Sequence, residues 1–195
     1  MKKILILLSA CVLCFAGEEL VLEAANSFVT TMRANHDAPV RSFIQKARAT
    51  IVFPSVKKVG FVVGGMGGDG VMIVGPLESP SQILPVQISG GSVGLQIGYD
   101  DSSLVLFIMK DSVINEIKSS KLAIDSDASV SFGDRGLKFN KLSDVTFSND
   151  IYAYAQNGGF FAGASFGGAV IKVKSENLKQ DGYAYEQLLG VASKF

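Results

Sequence analysis

An α+β fold is what this sequence predicts: two N-terminal helices, a mainly antiparallel β sheet or partial barrel, and a C-terminal helix packed on it. Three observations lead there. Residues 18–48 place apolar side chains at three- and four-residue spacing before any strand pattern begins. From Ile51 to Val173, short β-rich runs are separated by glycine bends, without a helix after each strand, which argues against a doubly wound parallel sheet. Helical spacing then returns over Tyr183–Ser193. The 195 residues, 48% hydrophobic with 21 Gly and 5 Pro, are enough to bury one core and too apolar for a disordered chain.

The elements follow in order. Glu18–Ala34 is predicted as a helix with Leu20, Val21, Ala24, Ala25, Phe28, Val29 and Met32 on one stripe. Glu18, Glu19 and Glu23 suit the positive pole at its start. Asn35-His36-Asp37 breaks it, and Pro39 opens a second helix, Val40–Arg48, with Val40, Phe43, Ile44 and Ala47 inward. Pro54 is expected to stop the run Ile51-Val52-Phe53. Val59–Val63 and Val71–Val74 then form a hairpin about the glycines of 64–70, because glycine supplies the positive φ of tight turns.

Beyond the loop 75–80, Pro85 marks Ile83–Ile88 as an edge strand or irregular. Val93, Leu95, Ile97 and Tyr99 alternate with Gly94, Gln96 and Gly98, leaving one face nearly bare for close approach. Leu104–Met109 fits a buried strand. Asp111 or Ser112 caps a short helix carrying Val113, Ile114 and Ile117. Leu122–Phe132 and Val145–Phe147 are weaker strands joined by a polar stretch containing Gly133-Asp134-Arg135-Gly136. Ile151–Ala155 and Phe160–Val173 are expected to close the sheet as a hairpin about Asn157-Gly158-Gly159. The last helix turns Tyr185, Leu188, Leu189 and Ala192 inward.

Met1–Ala16 has the form of an export signal: Lys2-Lys3, an apolar run Ile4–Leu13, and the small-residue site Cys14-Phe15-Ala16. Cleavage after Ala16 leaves one domain, 17–195, without cysteine. Leu8-Ser9-Ala10-Cys11 also fits a lipobox, in which Cys11 would be acylated and anchor the chain to a membrane. Either form places the protein in the bacterial periplasm or cell envelope.

Four ordered segments resemble the SYLF domain family. They are Ala47-x-Ala49-x-Ile51-Val52-Phe53-Pro54-Ser55-Val56-x-Lys58-Val59-Gly60-Phe61 with the glycine stretch after it, Gly91-Ser92-Val93-Gly94-Leu95-Gln96-Ile97-Gly98, Val105-Leu106-Phe107-Ile108-Met109, and Gly159-Phe160-Phe161-Ala162-Gly163-Ala164-Ser165. The resemblance runs from about Ala24 to the C-terminus. It implies binding to phosphoinositides and other acidic lipids, with actin bound by some members, an exported or lipid-anchored setting for bacterial relatives, and no catalytic residue set.

The residues themselves give little chemistry. Gly65-Met66-Gly67-Gly68-Asp69-Gly70 matches a dinucleotide fingerprint, but a β-rich run follows where a helix N-terminus is needed. Gly163-Ala164-Ser165-Phe166-Gly167 matches a nucleophile elbow, yet the single histidine, His36, precedes the serine. One histidine and no mature thiolate give no zinc set, Asp100-Asp101 and Asp125/Asp127 fit no EF-hand spacing, and no cofactor is expected. With 18 bases against 18 acids and no tryptophan, nucleic acid is an unsuitable partner. The charge is uneven, however: Arg33–Lys58 holds six basic residues and one acid. From it come the candidate lipid-binding residues Lys46, Arg48, Lys57 and Lys58, with Arg41 beside them, expected to gather around Pro54 against acidic membrane lipids. Both lysines can contribute only if 57–58 lies in a turn, because neighbours on a strand face opposite ways. The resemblance, more than the basic cluster, thus makes a non-catalytic lipid-binding domain of the bacterial cell envelope the expected function. The alternative is a protein-interaction module that uses the glycine-rich sheet face.

Overall fold

The computed structural model describes the backbone of residues 2–119, 121–124, 128–133, 137–140, 144–157 and 169–195, with side chains described from Gly17 onward except at 60–63, 92–98 and 137–146. The elements are α1 (Lys2–Ala34), α2 (Val40–Lys46), β1 (Ala49–Val74), β2 (Gln82–Ile108), α3 (Asp111–Ser119), β3 (Leu122–Ala123), β4 (Val130–Phe132), β5 (Leu137–Asn140), β6 (Asp144–Phe147), β7 (Ile151–Ala155), β8 (Val170–Val173) and α4 (Gly182–Leu189). A short 3₁₀ turn, Ala192–Lys194, follows α4.

The α+β class holds, with changes to the sheet. β1 and β2 form one long antiparallel ribbon, paired from Ala49↔Ile108 to Val74↔Gln82. Its reversal is the loop 75–81, which begins at Gly75 with φ +92°, a left-handed backbone suited to glycine. The expected hairpin about the glycines of 64–70 is therefore not there: those glycines lie inside β1, opposite 86–92 of β2. Pro54 does not stop the strand either. A bulge between Phe53 and Val56 absorbs it.

The ribbon is instead doubled over. The Gly75 N–H donates to the Arg48 carbonyl at 2.9 Å, bringing the far end of β1 back to its start. A Cβ added at Gly70 would lie 2.5 Å from the Val52 carbonyl, and one at Gly68 would lie 2.3 Å from that of Ser55. These contacts are symmetrical about Phe61–Val62, the apex of the fold-over. There β2 runs from Gly98 to Gly94 while β1 runs only from Gly60 to Val62, so β2 follows the longer, outer path. The surroundings of the bare face expected at Gly94, Gln96 and Gly98 lie outside the described residues; the tight glycines observed are Gly68, Gly70 and Gly90.

β2 is central. Its other edge pairs with β7 at Leu104–Ile108 and with β8 at Val86–Ser89, both antiparallel and in one register, so β7 and β8 follow the same edge of β2 where the expected hairpin would have paired them with each other. The turn proposed for that hairpin, 158–159, lies outside the described residues. Of Ile83–Ile88, Val86–Ile88 is interior, between β1 and β8, while Ile83 and Leu84 pair with β1 alone among the described residues. Pro85 is tolerated because its carbonyl accepts from Lys174 N just where the β8 ladder ends, so its missing N–H removes no interior rung. β4 adds to β7 in parallel, which makes the sheet mixed, and β5–β6 form a separate pair.

Alternation along the central strands separates two apolar layers. Ile51, Phe53, Leu104, Leu106, Ile108, Ile151 and Ala153 pack with Val113, Ile114 and Ile117 of α3 on one face. Val52, Val105, Phe107, Tyr152 and Tyr154 pack under α1, α2 and α4 on the other. Strands covered on both faces read as continuous apolar runs, which is why Leu104–Met109 was legible. The α1 stripe is buried from Val21 through Met32, although Leu20 is only partly covered. Because α1 extends back to Lys2, Glu18, Glu19 and Glu23 lie mid-helix rather than at its positive pole. Glu18 instead meets Lys179. At its C-terminal end α1 is clasped to the sheet: Thr31 and Ser103 hydroxyls share a 2.6 Å bond, and Asn35 Nδ2 donates to the Ala155 carbonyl at 2.8 Å. In α4 the buried residues are Ala184 and Leu188, followed by Val191 and Ala192, while Tyr185 and Leu189 are half-buried.

Asp150 fixes the β4–β7 end. Its Oδ2 accepts from the Ser129 N–H at 3.0 Å and the Ser129 hydroxyl at 2.9 Å, its own N–H donates to Ser129 Oγ, and Lys110 pairs with Oδ1. Burial pushes the carboxyl upward, but the Lys110 and Ser129 contacts together outweigh it and hold the group below its usual range. A depressed folded value contributes stability above the unfolded value, about 3.9, and loses it as pH falls through the folded one. Asp150→Asn is thus expected to be less stable than the parent at neutral pH, the gap closing below about pH 4. Urea unfolding across pH 3–7 measures this, and a gap independent of pH would contradict it.

Candidate functional site

The predicted cations do not converge. Arg41, Lys46 and Arg48 are exposed and share the α2–β1 corner, an acid-free segment from Ala38 to Ala49. Phe43, the buried residue of α2, fixes this short helix against the sheet. The Arg41 Nε–H donates to the Phe195 carbonyl, and Lys46 Nζ lies 5.6 Å from the centre of the Phe147 ring. Arg48 is tied by backbone alone, its N–H to Ile108 O at 2.8 Å and its carbonyl to Gly75 N, so its guanidinium is held at a fixed root.

Lys57 and Lys58 lie elsewhere, nine residues of extended strand from Arg48, a path on the order of 30 Å. Pro54 makes no turn that would close the gap. They also sit on a strand, the condition under which they cannot both contribute: Lys57 is exposed, Lys58 only 8% so. Burial lowers the Lys58 ammonium below its usual range, and Asp100, its cross-strand neighbour, partly opposes that. Lys57 stands across from Asp101, whose carboxylate accepts from the Ser55 hydroxyl at 2.6 Å and the Tyr99 hydroxyl at 3.1 Å. The local charge at these lysines is balanced rather than basic. The expected turn is corrected here: Lys57 and Lys58 lie on β1, which separates what a turn would have gathered.

Lys57 borders a groove of about 410 Å³ between α1, β1 and the segment after β8. Glu19, Glu23, Asp69 and Glu176 are among its lining residues, with Pro54, Ser55, Gly67 and Gly68. Lys174 crosses it, 3.1 Å from Asp69 and 3.4 Å from Glu176. These partners raise the Lys174 ammonium above its usual range against the opposing effect of burial. Glu19 and Glu23, spaced i and i+4 on the polar side of α1, were recognisable as one patch in sequence. Asp69, Lys174 and Glu176 join them only through the fold.

The other motifs acquire no machinery. Gly65–Gly70 is strand with no helix after it, so it offers no helix N-terminus to a pyrophosphate. Ser165 and its motif, and Asp125 and Asp127, lie outside the described residues. His36 is an exposed turn residue 3.5 Å from Asp37. Among the described residues no three His, Cys, Asp or Glu side chains converge as metal ligands, and no helix is long and apolar enough to cross a membrane.

Comparison with known proteins places these features in a family. The family model Ysc84, described as "Las17-binding protein actin regulator", matches residues 89–187. The chain is 31% identical over 156 residues to SH3 domain-containing YSC84-like protein 1 of Rattus norvegicus, covering 75% of this chain and 45% of that protein. The Homo sapiens protein of the same name is also 31% identical, over 75% of this chain and 44% of its own length. Protein YSC84 of Saccharomyces cerevisiae is 22% identical over 147 residues, 72% of this chain and 31% of that protein. The chain thus spans under half the length of these relatives. No solved structure matches.

Proposed function

Because the chain belongs to the Ysc84, or SYLF, family, we propose that it is a non-catalytic binding domain whose target is an acidic phospholipid surface of the bacterial cell envelope. Export through Met1–Ala16, by cleavage after Ala16 or acylation at Cys11, brings it there. The observation that carries this reading is the α2–β1 corner, where Arg41, Lys46 and Arg48 stand exposed on a rigid, acid-free segment. Arg48 is the phosphate fork, since its planar donors match two oxygens at once, and Lys46 adds a point charge. Lys57 and Lys58 are secondary to this site because acids face them.

All described buried side chains lie from Val21 onward, so residues 17–195 retain the described core. That fragment is expected to co-sediment with phosphatidylserine-containing vesicles, less so as salt rises. At on the order of 1 kcal/mol per cation, the variant Arg41→Glu/Lys46→Glu/Arg48→Glu should bind about a hundredfold more weakly. Equal binding to neutral and anionic vesicles, or none to either, removes the anionic-lipid reading. The family's description as a Las17-binding actin regulator favours a second one, a protein target such as an actin-regulating partner held on the glycine-rich sheet without lipid preference.

A further inference from the structure

The doubled-over β1–β2 ribbon ends in an apex that is free of charge. No ionisable acid or base occurs from Val59 to Gly68 on β1 or from Ile88 to Gly98 on β2, and charged residues begin at Lys57-Lys58, Asp69, Gln87's cross-strand neighbour, and Asp100-Asp101. At the rim of the apex, Val59 and Tyr99 are directly opposed across the ribbon and are 58% and 63% exposed. They are two of the three large hydrophobic side chains found exposed among the described residues; the third, Tyr183, is on α4. Tyr99 keeps its hydroxyl on Asp101, so its ring is apolar toward the apex and polar toward the charged row. An aromatic ring with a polar tip, between an uncharged end and a row of charges, is the arrangement that suits a membrane–water boundary.

We infer that the ribbon apex inserts into the interfacial layer of a lipid bilayer, with Val59 and Tyr99 as its rim; this rests on the lipid reading above and adds an apolar contact to it. The place where α1 joins the fold agrees. Gly17, Glu19 and Leu20 line the same groove as Lys57, two residues from Val59. An acylated Cys11 would stand about 9 Å of helix before Gly17. The balanced charges at Lys57, Lys58, Asp100 and Asp101 give no preference for anionic headgroups here. Insertion is therefore expected on neutral bilayers and at high salt, unlike binding at the corner.

The chain has no tryptophan, so Tyr99→Trp in residues 17–195 gives a single reporter at the rim, and Tyr183→Trp gives a control on α4. With phosphatidylcholine vesicles, with or without phosphatidylserine, Tyr99→Trp emission is expected to move to shorter wavelength and resist salt, while Tyr183→Trp stays unchanged. Adding Val59→Asp should abolish the shift and lose binding to neutral vesicles, with the fold kept by circular dichroism. Sedimentation without a Tyr99→Trp shift would overturn the apex and leave the corner standing. No sedimentation with any vesicle would overturn the lipid reading itself. A shift that follows protein concentration without vesicles would assign the apex to a second copy of this chain instead.

Discussion

Truncating Phe43 to alanine lowers the free energy of unfolding by about 3–5 kcal/mol. The ring is fully buried and stacks on Phe107 at 4.5 Å with a 9° tilt. It also meets Phe147 at 4.9 Å, Tyr152 at 5.3 Å and Tyr154 edge-on at 5.6 Å. Alanine would leave a void ringed by four aromatic side chains rooted in three strands, which cannot collapse without moving the sheet. Because Phe43 is the buried residue of a seven-residue helix, α2 would also lose what orders it; helices this short are unstable alone. Arg41 and Lys46 would then lose their fixed positions, so binding to anionic vesicles should weaken along with stability. Urea midpoints of Phe43→Ala measure the first effect and co-sedimentation the second. A loss below about 1 kcal/mol would mean that the ring cluster does not hold the corner.

The second large effect is expected at the fold-over. Gly68→Ala and Gly70→Ala each place a methyl group against backbone oxygen, at 2.3 Å from Ser55 O and 2.5 Å from Val52 O. Side chains can rotate away from a methyl group, but these carbonyls are fixed within β1. Each variant should lose about 1–3 kcal/mol through overpacking, and the double variant should open the ribbon. Gly65→Ala and Gly67→Ala are internal controls, since their added methyl groups lie 4.0 Å and 3.7 Å from the nearest atoms, ordinary contact. They should be neutral or gain up to about 1 kcal/mol from a less flexible unfolded chain. Thermal unfolding of the four single variants tests the contrast. Similar values for all four would show that the two halves of β1 do not press together.

Local periodicity determined much of this protein. The α1 stripe, the α3 triad Val113, Ile114 and Ile117, the buried run at Leu104–Met109 and the basic segment before Lys58 were all written in neighbouring residues, because each depends only on which side chains share a face. The family was legible too, in four ordered segments. What only the tertiary structure decided is how the glycine-rich stretch is used. A glycine permits a tight turn and equally permits another backbone to press against it, and nothing local distinguishes the two. The partner of Gly68 and Gly70 is β1 itself, thirteen and seventeen residues back in the chain at Ser55 and Phe53, so a predicted turn became a continuous strand. The predicted cations depended on Pro54 instead, where a bulge within β1 stands in place of the expected turn. A turn would have gathered Lys46, Arg48, Lys57 and Lys58; a strand sets the lysines on opposite faces and carries them away from the corner, because side chains alternate along extended backbone and the chain advances about 3.3 Å per residue. The same geometry left Val59 and Tyr99 exposed at the apex, opposed only because β1 and β2 pair in this register.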